Sequence, residues 1–316
     1  PDQVGCYPDF RVEYYASLTE DGEYVKMDEA ADILNLYVTW NKLDAALHNN
    51  VINEAVLYYA CKNANGLSNI NEIIFALWNP FTTRQLNQLD FGLSSGQPLT
   101  YYYDTYPSNI DMPHVTDNDC VGWMGLFADI LSYIGLNNGV DFRTESIQTK
   151  NNEFGIGGIS EGFLVKNWVI PDNHNVVYSC SISGQDYYTE EYIFSTYTDH
   201  SQLNSLGMQR QGHRRHPLLL KGNVVENPGI EGQGELNPVS TFVSHSVVVI
   251  GNEIYDPSYG KKYTSIQDFQ QRAVDGFYIG TKTKKIVEIS GTAREVILIY
   301  FRKNENNNDF KPIDVN

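Results

Sequence analysis

The sequence predicts an α+β fold, with a helical first half packed on an antiparallel β-sheet built from the second half. Three observations predict it. Apolar residues recur at helical spacing in several segments between residues 51 and 136. Between residues 140 and 301 the pattern changes to short β-branched and aromatic runs separated by turn residues. A chain of 316 residues, 41% hydrophobic, is long enough to enclose a sizeable core.

Taken in order, residues 1–50 form an N-terminal extended and helical segment. Residues 10–18 alternate as a strand does, residues 28–36 read as helix, LYVTW as strand and residues 42–48 as helix again. One main domain is expected over residues 51–301, with its helical part at 51–136 and its β part at 140–301. Residues 51–62 form a helix ended by the Asn-Gly cluster at 63–66. Asn69 and Glu72 stand at capping-box spacing for a helix over 70–78, which Pro80 is expected to stop, and TTRQLNQL begins a further short helix. Residues 98–106 are extended. Strands are expected at 163–170, 175–182, 187–197, 242–250, 253–256, 276–280, 285–290 and 295–301, interrupted by one helix at 265–275. Residues 302–316 have the composition of a polar tail.

Composition excludes several function classes. With 39 acidic against 22 basic residues the net charge is −17, which argues against nucleic acid as a partner. The basic stretch QRQGHRRH at 209–216 reads as a solvated loop. No Cys or carboxylate pair stands at ligand spacing beside His213 and His216, so no zinc site is expected there. FGIGGISEG at 154–162 lacks the phasing of a phosphate loop, and no cofactor is expected. No apolar run is long enough for a membrane span. No signal-peptide pattern opens the chain, so the protein is either cytosolic or trimmed, and a first residue of Pro1 suggests trimming. The wealth of Tyr and the Asn-rich loops suit an extracellular or periplasmic protein. Four cysteines (Cys6, Cys61, Cys120 and Cys180) are too few for a disulfide framework in so long a chain.

One of these cysteines has a distinctive position. In TDNDCVGWMGLFADILSYIGL, Cys120, Trp123, Met124, Phe127, Ile130, Leu131 and Ile134 share one helix face. Asp117, Asn118 and Asp119 offer an N-cap and Gly135 a C-terminal stop. Cys120 therefore falls on the first turn, where free backbone N–H groups and the helix dipole favour a thiolate. A nucleophilic thiol needs a base, and the base an orienting acceptor. Of the seven histidines only His245 lies in a convincing strand with an acid close behind it. In SHSVVVIGNEIYDPSYG, Gly251-Asn252 is a two-residue hairpin signal. That turn sets Ile250 opposite Glu253 and Val247 opposite Asp256, so His245 lies diagonal to Asp256 on the same face. A one-residue slip would separate the two.

These two segments, DNDCVGWMGLFADILSYIGL and FVSHSVVVIGNEIYDPSYG, resemble the core of the transglutaminase-like family, within the wider papain-like thiol enzymes. Cys120, Leu126, Leu131 and Gly135 match the nucleophile motif, and His245, Asp256 and Pro257 match the strand pair that follows. The likeness spans about 40 residues. Ser246-Val247-Val248 stands where the family commonly has an aromatic, and Gly135-Leu136-Asn137-Asn138 where it commonly has a Gly-Ile-Pro-like turn. The resemblance implies a papain-like core and a Cys120-His245-Asp256 triad. It also implies acyl transfer from a carboxamide or peptide bond of a protein or peptide substrate, through a thioester, to an amine or to water. The Cys120 backbone N–H is one natural oxyanion donor. Trp78, His114 and Asn118 are candidates for the second, Trp78 by its resemblance to the indole donor of animal transglutaminases. The rival expectation is a non-catalytic surface or assembly module that keeps the fold.

Overall fold

A computed structural model describes residues 2–16, 25–43, 53–84, 86–92, 96–101, 120–150, 161–169, 178–182, 185–189, 209–211, 218–220, 225–226, 230–236, 238, 240–242, 244–289, 292–305 and 308–314. In chain order their elements begin with β1 (Gly5–Ala16), β2 (Val25–Val38), α1 (Glu54–Asn63), α2 (Ile70–Thr83), a 3-10 turn (Gln88–Phe91) and α3 (Cys120–Tyr133). The strands β3 (Phe142–Thr149), β4 (Glu161–Val165), β5 (Trp168–Val169), β6 (Tyr178–Ile182), β7 (Gln185–Thr189), β8 (Gln209–Gln211), β9 (Leu218–Leu220) and β10 (Val225–Glu226) follow. Next come β11 (Thr241–Phe242), β12 (Ser244–Ile250), β13 (Glu253–Asp256), β14 (Lys261–Tyr263), α4 (Ile266–Ala273), β15 (Val274–Ile289), β16 (Thr292–Lys303) and β17 (Phe310–Asp314). The fold is α+β, and every strand ladder among the described residues is antiparallel.

Two sheets carry the second half. A five-stranded sheet has the order β14-β13-β12-β3-β17, and a six-stranded sheet the order β11-β4-β15-β16-β7-β6. An aromatic seam joins them: the Phe163 ring on β4 lies 5.0 Å from Phe310 on β17 and 6.1 Å from Phe269 on α4, and 5.7 Å from Phe242. Beside it runs a buried polar clamp. Arg302 donates to Glu161 Oε1 at 3.0 Å and to Asp309 Oδ1 at 3.1 Å, and Gln270 Nε2 donates to Asp309 Oδ2 at 2.9 Å. Each of these charges is paired where water cannot reach it, so deleting one partner strands the others.

The helix α3 packs on β12 and β3 on one side and on α1 and α2 on the other. This is why it is buried nearly all round, Leu126 and Tyr133 included, rather than on one face as its spacing predicts. Its C-terminus is a Schellman cap: Leu136 N donates to Leu131 O at 3.1 Å and Gly135 N to Ser132 O at 2.9 Å, with buried Leu136 against buried Leu131. Gly135 has φ 90°, and a Cβ there would meet Asn41 O at 2.4 Å. The Tyr133 hydroxyl accepts from Asn53 N at 2.7 Å, which ties the N-cap residue of α1 to the end of α3.

Several expectations are corrected. Residues 28–36 are strand, not helix, because β2 pairs with β1 from Gly5↔Val38 to Ala16↔Val25. A helical stripe at Ile33 and Leu34 would need an apolar surface to cover it, and both side chains are exposed. The N-terminal segment is thus a β-hairpin where it is described, and residues 44–48 of the second expected helix lie outside the described residues. Pro80 does not stop α2, which continues to Thr83 and ends at left-handed Arg84. A proline this near the end removes a single backbone donor. Asn69 caps α2, while the reciprocal capping box belongs to Asn87 and Asp90 on the 3-10 turn; the short helix expected to begin at Thr82 does not form, since Thr82 and Thr83 end α2 and only Gln88 and Leu89 enter that turn. Residues 302–316 are not a tail: β17 pairs with β3, and Phe310 enters the core. Residues 276–280 and 285–290 belong to one strand, β15. Gln209–Gln211, expected in a loop, pair with β9.

Replacing Gly135 by Ala forces a left-handed residue and a backbone overlap at Asn41. Equilibrium denaturation should show a loss of about 2 kcal/mol or more. An unchanged midpoint would mean that the chain does not cross α3 at this point.

Candidate functional site

The site is assembled by a hairpin and a helix start. β12 and β13 pair as Val248↔Tyr255, Val249↔Ile254 and Ile250↔Glu253, the register that the turn signal predicts. Gly251 has φ 60°, as expected for a tight turn with glycine at its first central position. This register brings His245 Nε2 to 2.9 Å from Asp256 Oδ2. Both residues are out of water, at 0% and 1% exposure. Cys120 is the first residue of α3 and is 6% exposed. Its thiol lies close enough to the imidazole to act on its titration.

Electrostatics at the ring run in opposite directions. Burial is the largest influence on His245 and disfavours its charged form; the Asp256 charge and hydrogen bond, with a contribution from Cys120, outweigh it and push the imidazole up to about 10. Asp256 occupies Nε2, which leaves Nδ1 as the other ring nitrogen. Among the described residues Nδ1 has no hydrogen-bond partner at ordinary geometry.

Aromatic side chains that sequence reasoning missed fix the ring. Phe269 stacks on it at 6.3 Å and 15°, Phe242 lies at 4.6 Å and Tyr259 at 5.8 Å. Phe242, three residues before His245, was the one local signal for this enclosure; Phe269 arrives from α4 and has none. Gln233 was also missed. Its Nε2 donates to Phe81 O at 2.7 Å and Pro257 O at 2.9 Å, and its backbone N to Ser258 O at 3.0 Å. It thereby pins the turn after Asp256 onto α2. Ser258 Oγ, Asp256 Oδ1 and Trp123 Nε1 are buried without a hydrogen-bond partner among the described residues.

Of the oxyanion candidates, Trp78 sits in an aromatic cluster, 5.6 Å from Phe81, 5.2 Å from Phe127 and 5.0 Å from Tyr255. His114 and Asn118 lie outside the described residues, as do Asp117 and Asp119 of the expected N-cap. Among the described residues no group of His, Cys, Asp and Glu stands together as a metal site would require, and no helix is long and apolar enough to cross a membrane. Comparisons with family models, with curated proteins and with solved structures found no match.

The raised imidazole makes a pH prediction. A group held above its unfolded value of about 6.5 contributes stability that is full below that pH and is lost as pH rises. For His245 the loss ends on passing about 10. Asp256→Asn removes the charge and leaves burial to dominate. NMR titration of the His245 imidazole should find it protonated at pH 8 in the wild type and neutral in the variant. The wild type's stability advantage should shrink between about pH 7 and 10. Equal titration in the two proteins would show that Asp256 does not set the charge of the ring.

Proposed function

We propose that the protein carries out cysteine-dependent acyl transfer on a carboxamide or peptide bond, with Cys120 as nucleophile, His245 as base and Asp256 as its orienting carboxylate. The observation that carries this reading is the buried 2.9 Å His245–Asp256 pair with the thiol of a helix-start cysteine beside the same ring. The likeness of these segments to the transglutaminase-like family, and the packing of α3 on β12, support a papain-like core around the site.

In this reading the proton of Cys120 Sγ stands on His245 Nδ1 in a thiolate–imidazolium pair, which Asp256 stabilises through Nε2. Phe242, Tyr259 and Phe269 keep water from the ring, which strengthens the pair. The thiolate attacks the carbonyl carbon, and the oxyanion is met by the N–H of Cys120 at the helix start. His245 then returns its proton to the departing amine or ammonia, leaving a thioester on Cys120. An amine or water, deprotonated by His245, releases the acyl group as a new amide or an acid.

A second reading rests on a different observation. The β1–β2 hairpin exposes Tyr7, Phe10, Met27, Ile33, Leu34 and Leu36, with Ile33 at 70%. Such a surface favours a binding or assembly role for the hairpin.

A glutamine-donor peptide offered with a primary amine tests the catalytic reading. Cys120→Ala should abolish both turnover and the mass adduct of the thioester. His245→Ala should lose nearly as much. Asp256→Asn should retain a fraction, reduced on the order of 10² to 10⁴. A protein that turns over the peptide equally well with Asn at position 256 would need another residue to orient His245. A folded wild type inert toward every carboxamide donor would favour the assembly reading.

A further inference from the structure

We propose that Cys6 and Cys61 are a redox pair that closes into a disulfide, stapling the β1–β2 hairpin to α1. The placement follows from two matched faces. Cys6 and Tyr37 are directly opposite in the β1–β2 ladder, so their side chains leave the hairpin on the same side. Tyr37 shows which way that side faces: its hydroxyl donates to Glu54 Oε1 at 3.1 Å, and its ring meets Tyr58 edge-on at 6.4 Å. Glu54, Tyr58, Cys61 and Asn65 follow one another at the spacing of a single stripe along α1 and its C-terminal end.

The hairpin lies along this stripe in a fixed sense. Tyr37 covers the Glu54 and Tyr58 end. At the other end Cys6 N donates to Asn65 Oδ1 at 3.1 Å, while Val4 N bonds Leu67 O and Gly66 N bonds Val4 O, both at 2.9 Å. Between these anchors Cys61 Sγ points at Val38 O, 3.9 Å away, and Val38 is the ladder partner of Gly5, next to Cys6. Cys6 thus falls over the Cys61–Asn65 end of the stripe. Both thiols are free in this structure and pack with the same hydrophobic core. They also feel each other: burial chiefly, and Cys6 in addition, push the Cys61 thiol up to about 12.

The two differ in access, which orders the chemistry. Cys6 is part-exposed, and burial raises its thiol with the Lys62 charge offsetting only part of that, whereas Cys61 is buried, so access rather than acidity makes Cys6 the first to react. Cys6 thiolate attacks a low-molecular-weight disulfide of the glutathione class, forming a mixed disulfide and releasing one small thiol. Cys61, deprotonated, then attacks the Cys6 sulfur and releases the second. Two S–H bonds are lost, one protein S–S bond forms, and the small disulfide takes up two electrons and two protons. Because α1 packs on α3, the crosslink fastens the hairpin to the layer that supports Cys120, without using Cys120 itself.

The test uses the full chain equilibrated in glutathione buffers of increasing oxidised fraction, acid-quenched, alkylated and mapped without reduction. A Cys6–Cys61 linked peptide should appear, accompanied by a rise in Tm of about 5 °C. Cys6→Ser should remove both the peptide and the rise. Because Cys6 is part-exposed, this variant keeps the test available even where Cys61→Ser fails to fold. Two alkylated thiols in the most oxidising buffer would overturn the proposal, as would linkage of Cys6 to Cys180 or to a second chain.

Discussion

The buried pair of His245 and Asp256 is the constraint around which the rest of this structure is arranged. Two ionisable groups without water are tolerated only when each holds the other at good geometry. Here the geometry is set by strand register, since a slip of one residue along β12 or β13 would send the carboxylate to the opposite face of the sheet. The Gly251 turn fixes that register from one end. Gln233, bridging Pro257 and Phe81, fixes it from the other. The aromatic seam between the two sheets then closes over the imidazole, so Phe242 and Phe269 hold the layers together and also enclose the ring.

This arrangement explains why α3 is so thoroughly buried. A thiol can approach a histidine on β12 only if its helix starts directly over the sheet, and α1 and α2 then cover the helix from outside. The Schellman cap at Gly135 and the Tyr133–Asn53 hydrogen bond fix the far end of α3, and so the position of its first residue. The N-terminal hairpin adds a second layer of support. It grips α1 through Tyr37 at one end and Cys6 at the other, while Tyr7, Phe10, Met27, Ile33, Leu34 and Leu36 face solvent.

What could be read from the sequence was local. The stop of α3 at Gly135, the end of α1 in the Asn-Gly cluster, the Asn69 cap of α2, and the two-residue turn between β12 and β13 are each written within a few residues, and each was legible. The His245–Asp256 contact was legible for the same reason, because a hairpin makes a spatial neighbour out of a sequence neighbour. Residues 28–36 were misread because ADILNL has helical spacing, while its actual partner, β1, lies across an intervening segment that propensity does not report. The chain end was misread because KNENNND is polar, although Phe310 just beyond it fills the seam and Asp309 holds Arg302. Phe269 and Gln233 were invisible as site residues, since their contacts to His245 and Pro257 depend on tertiary packing alone.

The central claim is that the pair on the hairpin makes Cys120 a nucleophile. The most direct measurement is the rate of iodoacetamide alkylation of each cysteine against pH, resolved by peptide mapping, in the wild type and in His245→Ala. The account predicts that Cys120 reacts faster than Cys6, Cys61 and Cys180 at pH 6, and that His245→Ala removes this advantage while leaving the other three rates unchanged. Another cysteine labelled first at pH 6, or a Cys120 rate indifferent to the loss of His245, would contradict it.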